Sequence, residues 1–327
     1  MLNRIARGGS CAAAVVVLSF ILVSTKPVSA GPTEFWTRLG VNPHPSARVN
    51  APMVYDSAGK NLVLFGGYDG STYLNDTWIF NGKTWTQLNP PVSPPPRSAS
   101  AMAFDFKTKQ VVMFGGFNGS QYMGDTWLWD GAAQTWTQAN PATNPTAVTL
   151  PMLFSDPLNG HVEMVGGYDG FLYQDTTWKW TGSDWKKLFP KNGIWARGAA
   201  VVANDFAHRK VVIFGGLADV NPVNTWTWNG VTWTEESPSS QPPWSFYTPA
   251  AYDPRIGQVV MFSGSSGLND TWAWTGSDWL TLSPTHSPIA RDSQSLAYDY
   301  STHQMIMFGG EDSNGFLDST WEWVAIQ

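Results

Sequence analysis

A Gly-Gly pair recurs behind an apolar run at a nearly constant interval. "LFGGYDG" (64–70), "MFGGFNG" (113–119), "MVGGYDG" (164–170), "IFGGLAD" (213–219), "MFSGSSG" (261–267) and "MFGGEDS" (307–313) begin their pairs at Gly66, Gly115, Gly166, Gly215, Ser263 and Gly309. The spacings are 49, 51, 49, 48 and 46 residues. Self-similarity at such a period restricts the fold severely. Each unit is too small to bury its own apolar faces and must pack on its neighbours.

Other positions keep step with the glycines. Eighteen residues before each pair stands Arg48, Arg97, Val148, Arg197, Ser245 or Arg291. Ten residues before it stands Asp56, Asp105, Asp156, Asp205, Asp253 or Asp299. After it come Trp78, Trp127, Trp178, Trp226, Trp272 and Trp321, each preceded by Thr, and then Trp85, Trp136, Trp185, Trp233 and Trp279. The sixth unit ends before this last tryptophan.

Each unit resolves into four short strands. Strand a leads to the aspartate, which suits an a–b turn because its carboxylate can accept nearby backbone N–H groups. Strand b is the apolar run into Gly-Gly. Strand c carries Trp-x-Trp, two indoles on one face of a period-two element. Strand d is "TWTQ" and its relatives. The pattern predicts an all-β chain: six four-stranded antiparallel blades arranged radially as a β-propeller, filling residues 34–327.

A stretch near the N-terminus completes the count. "FWTRL" matches "TWTQL" of the first unit, with Trp36 aligned on Trp85. From each of these tryptophans to the next arginine position is twelve residues, as in Trp36 to Arg48 and Trp85 to Arg97. "EFWTRL" is therefore expected to be strand d of the last blade, closing the ring and removing a free strand edge.

The first thirty residues read as a cleaved secretory signal. Arg4 and Arg7 form a basic start, Ala12 to Val23 an apolar run, and "VSA" at 28–30 a small-residue cleavage site. The expected location is secreted or periplasmic, with no stable membrane anchor. Residues 31–327 form the single propeller domain, expected to be a monomer. Cys11 is the only cysteine, so the mature chain relies on packing rather than disulfides. With 13% charged residues and a net charge of −6, nothing resembles the basic stripe that nucleic-acid binding needs.

The double glycine after an apolar strand, with Asp-Thr-Trp and a further Trp downstream, resembles the kelch-repeat family. The resemblance covers the whole mature chain and implies a propeller; it leaves function open, because kelch functions are diverse. Galactose-oxidase-like copper enzymes of the family use a cysteine cross-linked to a tyrosine, which the mature chain lacks. Exported kelch-type sialic-acid epimerases are similar in fold, but none of their catalytic residues can be matched to positions here.

In a blade of this kind the d–a and b–c loops share one face, and the a–b and c–d turns share the other. Arg48, Arg97, Arg197 and Arg291 are expected to ring the channel mouth on the loop face, either open to a ligand or, as residues repeated for the blade, each paired with a neighbouring carboxylate or backbone carbonyl. The b–c loops add Tyr68, Asp69, Phe117, Tyr168 and Asp169. Only Trp195 and Trp244, of nineteen tryptophans, fall outside repeat positions. Both lie in d–a loops, beside the units where Val148 and Ser245 replace the arginine, which suggests a pocket around blades three to five. These residues together are the expected ligand-binding set. The five histidines lack ligand spacing, and no metal or other cofactor is expected. Asn75-Asp76-Thr77, Asn118-Gly119-Ser120 and Asn269-Asp270-Thr271 fit the N-glycosylation acceptor pattern.

The reading is thus an exported, non-catalytic propeller binding a protein or carbohydrate ligand through the d–a/b–c loop face. The alternatives are a sugar-modifying enzyme of the epimerase kind and a structural envelope protein.

Overall fold

Valine, isoleucine, methionine and phenylalanine crowd the runs before each glycine pair, and side chains of this kind favour a strand buried on both faces. The computed structural model describes residues 33–220, 222–262 and 267–326, and its regular elements are all strands. Residues 1–30, read above as a signal, and Ser263 lie outside these. Strand β1 spans Thr33–Leu39. Blade one holds β2 (Met53–Asp56), β3 (Asn61–Tyr68), β4 (Tyr73–Phe80) and β5 (Trp85–Leu88). Blade two holds β6 (Ala101–Asp105), β7 (Gln110–Phe114), β8 (Thr126–Asp130) and β9 (Thr135–Gln138). Blade three holds β10 (Met152–Ser155), β11 (Val162–Val165), β12 (Thr177–Trp180) and β13 (Trp185–Leu188). Blade four holds β14 (Val201–Asp205), β15 (Lys210–Phe214), β16 (Thr225–Trp228) and β17 (Trp233–Glu236). Blade five holds β18 (Ala250–Asp253), β19 (Gln258–Phe262), β20 (Thr271–Trp274) and β21 (Trp279–Leu282). Blade six holds β22 (Ser295–Asp299), β23 (Gln304–Phe308) and, after a small hairpin of β24 (Glu311–Asp312) and β25 (Gly315–Phe316), β26 (Thr320–Ile326).

β1 supplies the fourth strand of blade six. It pairs antiparallel with β26, Trp36 opposite Trp323, in the register that sets Trp136 opposite Trp129 and Trp185 opposite Trp180. This closing pair is seven residues long, against four in each of the other blades. The seam without a covalent link thus carries the longest outer ladder.

The core lies between the blades. Six apolar clusters each draw on two adjacent blades, as where Met152, Phe154 and Val165 of blade three meet Val211, Ile213 and Trp226 of blade four. Every outer-strand indole also donates to a strand-c threonine of the preceding blade: Trp85 to Thr320, Trp136 to Thr77, Trp185 to Thr126, Trp233 to Thr177, Trp279 to Thr225 and Trp36 to Thr271, at 2.8–3.1 Å. A buried indole N–H is thereby satisfied at each seam.

The glycine pair stitches neighbouring blades. Gly67 N–H donates to Arg97 O at 2.9 Å, and its equivalents Gly116, Gly167, Gly216 and Gly310 donate to Val148, Arg197, Ser245 and Arg48. A Cβ on Gly66, at φ +58°, would sit 2.7 Å from that same Arg97 carbonyl. Only glycine allows the two chains so close. The a–b aspartates act as turn residues: Asp105 Oδ1 accepts from the N–H groups of Lys107 and Thr108, and Asp56, Asp156, Asp205, Asp253 and Asp299 accept in the same way.

A second device encircles the axis. Asn50, Ala99, Leu150, Ala199, Tyr247 and Ser293 all have φ between 51° and 58°. Each backbone N–H donates to the carbonyl of its counterpart in the preceding blade, from Ala99 to Asn50 round to Asn50 to Ser293, at 2.8–3.2 Å. The left-handed conformation costs roughly 1–2 kcal/mol at a non-glycine residue. Each hydrogen bond returns about 1 kcal/mol, and together the six close a belt around the channel.

Candidate functional site

The four repeated arginines do not stand as free donors at the channel mouth. All are buried, and each guanidinium joins three parts of its own blade. Arg48 donates to Ser46 O, to Gly66 O at 2.9 Å, and to both oxygens of Asp76 at 2.7 and 2.9 Å. Arg97 repeats this with Pro95, Gly115 and Asp125. Arg197 reaches Trp195 O, Gly215 O and Asn224, and Arg291 reaches Ile289 O, Gly309 O and Ser319. The last two lack a directly bonded carboxylate, and burial lowers each to about 10. For Arg197 the balancing charge is relayed, since Asn224 also donates to Glu235. Arg97 and its neighbours hold Asp125 below the usual carboxylate range against the opposing effect of burial.

The b–c aromatics form a continuous arc. Phe316, Tyr68, Tyr73, Phe117, Tyr122, Tyr168 and Tyr173 touch in sequence, with ring centroids 4.9–6.1 Å apart, from blade six to blade three. All seven rings are half-buried. The arc interlocks the loops: a Cβ on Gly119 would sit 2.7 Å from the Tyr73 ring of the preceding blade.

Asp69 and Asp169 brace the loop tips. Asp69 Oδ1 accepts from Ser71 and Thr72 N–H, and Asp169 Oδ1 from Phe171 and Leu172 N–H, at 2.7–2.9 Å. These hydrogen bonds hold both carboxyls below their ordinary values. Asn118 braces blade two through Ser120 and Gln121.

The two off-repeat tryptophans differ. Trp244 is half-buried, stacks on Phe246 at 4.7 Å and donates its indole N–H to Gly216 O at 2.8 Å. The carbonyls of Gly116, Gly167 and Gly310 instead accept an N–H of the strand-c entry. Trp195 rests one edge near Trp226 and remains 62% exposed.

Around Trp195 the loop face carries apolar side chains that sequence reasoning did not single out. Phe171 is 89% exposed and Val220 82%, with Leu172 and Val223 beside them in the b–c loops of blades three and four. A signal was present: "DGFL" at 169–172 stands where blade one has "DGST" and blade two "NGSQ". The repeat thus replaces polar tips with apolar ones in one sector. Exposed charge in the same blades is mixed: Asp175 and Asp219 in the b–c loops, and Lys186, Lys187 and Lys191 on strand β13 and the loop that leads to Trp195. A cavity of about 670 Å³ lies on the axis, lined by the innermost strands of all six blades. Among the described residues no group of three or more His, Cys, Asp or Glu side chains is placed to hold a metal ion.

A sequence model of the KLHDC2/KLHL20/DRC7 Kelch-repeats domain matches residues 28–216, more than half of the chain. The chain belongs to the kelch-repeat family. No curated protein matches it. The strand pattern carries the same kelch unit beyond residue 216 through blades five and six. The buried arginine thereby acquires a structural role within its blade, and the glycine pair and the Thr-Trp step acquire theirs at the blade seams. What varies between kelch units of this chain is the loop tips.

Proposed function

We propose that this kelch propeller is an exported protein-binding scaffold. It docks a partner on the loop face of blades three and four, through Phe171, Leu172, Trp195, Val220 and Val223. The exposure of Phe171, on a tip where blades one and two carry serine, is the observation that carries the reading. Large apolar groups held out in water are costly unless a partner covers them, and such groups dominate interface energies. The Asp169 turn fixes the backbone of the tip, so little ordering entropy is lost on docking. The partner offers an apolar segment, with charges of both signs at its edges to meet Asp175, Asp219 and Lys191. Export rests on the signal-like first thirty residues.

The exposed indole of Trp195 favours one second reading, a glycan stacked on its ring. The test is affinity capture from the extracellular fraction of the source organism. Wild type is compared with Phe171→Ser/Leu172→Thr, which copies the blade-one tip, and with Trp195→Ala. The reading predicts a partner bound by wild type and lost with both variants. Identical captured proteins from all three would refute it. Glycan-array binding abolished by Trp195→Ala alone would replace it with the carbohydrate reading.

A further inference from the structure

The innermost strands enclose the axial space of about 670 Å³, within the ~300–1,000 Å³ range of small-molecule sites. Its wall includes Met53, Met102, Met152, Phe154, Val202 and Ala250, and no Lys, Arg, His, Asp or Glu side chain lines it. At one end it adjoins a space of only about 150 Å³, lined by the belt residues Asn50, Ala99, Leu150, Ala199 and Tyr247. The wide end opens on the a–b face between the rings of Tyr55, Phe106, Phe206, Tyr252 and Tyr300. Phe106 and Phe206 are exposed there, and Phe206 of blade four meets Tyr300 of blade six at 6.4 Å.

Two polar groups stand at the narrow end. Ser100 and Gln294 line the cavity with only 8% and 6% of their surface exposed, while Ser100 Oγ and Gln294 Oε1 themselves are covered and have no hydrogen-bond partner. The Gln294 amide nitrogen is committed to Phe262 O at 3.1 Å, which fixes the carboxamide.

We propose that the channel is a binding cavity for a neutral, largely apolar small molecule. It enters past the aromatic rim of the a–b face and lies against the apolar wall of the inner strands. The uncharged wall selects against ions, because a buried charge without a counter-charge is strongly disfavoured. This cavity is separate from the loop-face sector, so neither proposal depends on the other.

The test uses N-phenyl-1-naphthylamine, a neutral aromatic amine whose fluorescence rises in apolar surroundings. The full propeller is expected to bind it saturably, one per chain. Ala250→Trp and Val202→Trp, which fill the wall, should weaken binding about tenfold or more, with folding checked by thermal unfolding. On the unmodified protein 1-decanol should displace the probe, and decanoate should do so at least about tenfold less well. Absence of saturable binding overturns the proposal, as does equal displacement by the alcohol and the carboxylate. Probe binding undiminished in folded Ala250→Trp and Val202→Trp would also overturn it. The displacement series keeps the test decisive if the tryptophan variants fail to fold.

Discussion

The indole N–H of Trp36 donates to Thr271 Oγ1 at 3.0 Å, joining residues 235 positions apart. Trp85 and Thr320 make the same bond across the same separation on the other side of blade six. These two bonds flank the blade built from both ends of the described chain. They carry across the closure what Trp136–Thr77 and Trp185–Thr126 do within continuous sequence. Trp36→Ala should lower unfolding stability by about 3–5 kcal/mol through the cavity it leaves. Thr271→Val, which keeps the shape and orphans the indole, should cost about 1–3 kcal/mol. Denaturant titration measures both, and an unchanged midpoint for Trp36→Ala would contradict the closure.

The arginine staple and its loss in blade three make a second prediction. Removing Arg97 leaves Asp125 partly buried and unpaired, an effect of about 3–5 kcal/mol in buried pairs. Blade three solves the same geometry with Val148 and Thr176, where Trp178 donates to Thr176 Oγ1. Arg97→Val/Asp125→Thr should therefore be more stable than Arg97→Val alone, because Trp127 keeps an acceptor. A double variant less stable than the single, by equilibrium unfolding, would show that the pair is not exchangeable in this way.

Glu163 gives the seam between blades three and four a pH dependence. Its carboxyl is buried, accepts from Trp228 Nε1 at 2.6 Å, and lies beside Asp156. Burial, then the Asp156 charge, raises it from 4.5 to about 8, against the opposing effect of Lys179. The folded chain therefore holds a proton that the unfolded chain releases. Stability is kept in full below the unfolded value and is lost as pH rises from 4.5 through about 8. Glu163→Gln, a neutral mimic that still accepts from Trp228, should flatten that loss. Unfolding free energy measured from pH 5 to pH 9 with the wild-type slope retained in the variant would contradict the assignment.

Much of this architecture was legible in the sequence because repeated side chains encode it. The alignment of Trp36 on Trp85 predicted the closing strand, and the aspartates at the a–b turns predicted their N–H partners. The inward turn of the arginines was less visible, although Arg48–Asp76 and Arg97–Asp125 share a separation of 28 residues. At that separation blade three has Val148 and Thr176, so both partners change together. The axial belt could not be read at all. Asn50, Ala99, Leu150, Ala199, Tyr247 and Ser293 share no side-chain chemistry, since the belt is made by backbone alone. The exposed tip at Phe171 was legible only as a departure from its siblings.

The docking sector is tested most directly by contact. A photo-crosslinking phenylalanine analogue is placed at position 171, at position 220 and, as a control on the opposite face, at position 106. Each protein is irradiated in the extracellular fraction of the source organism. The account predicts a common protein adduct from positions 171 and 220 and none from 106. Adducts from 106 with none from 171 or 220 would contradict it.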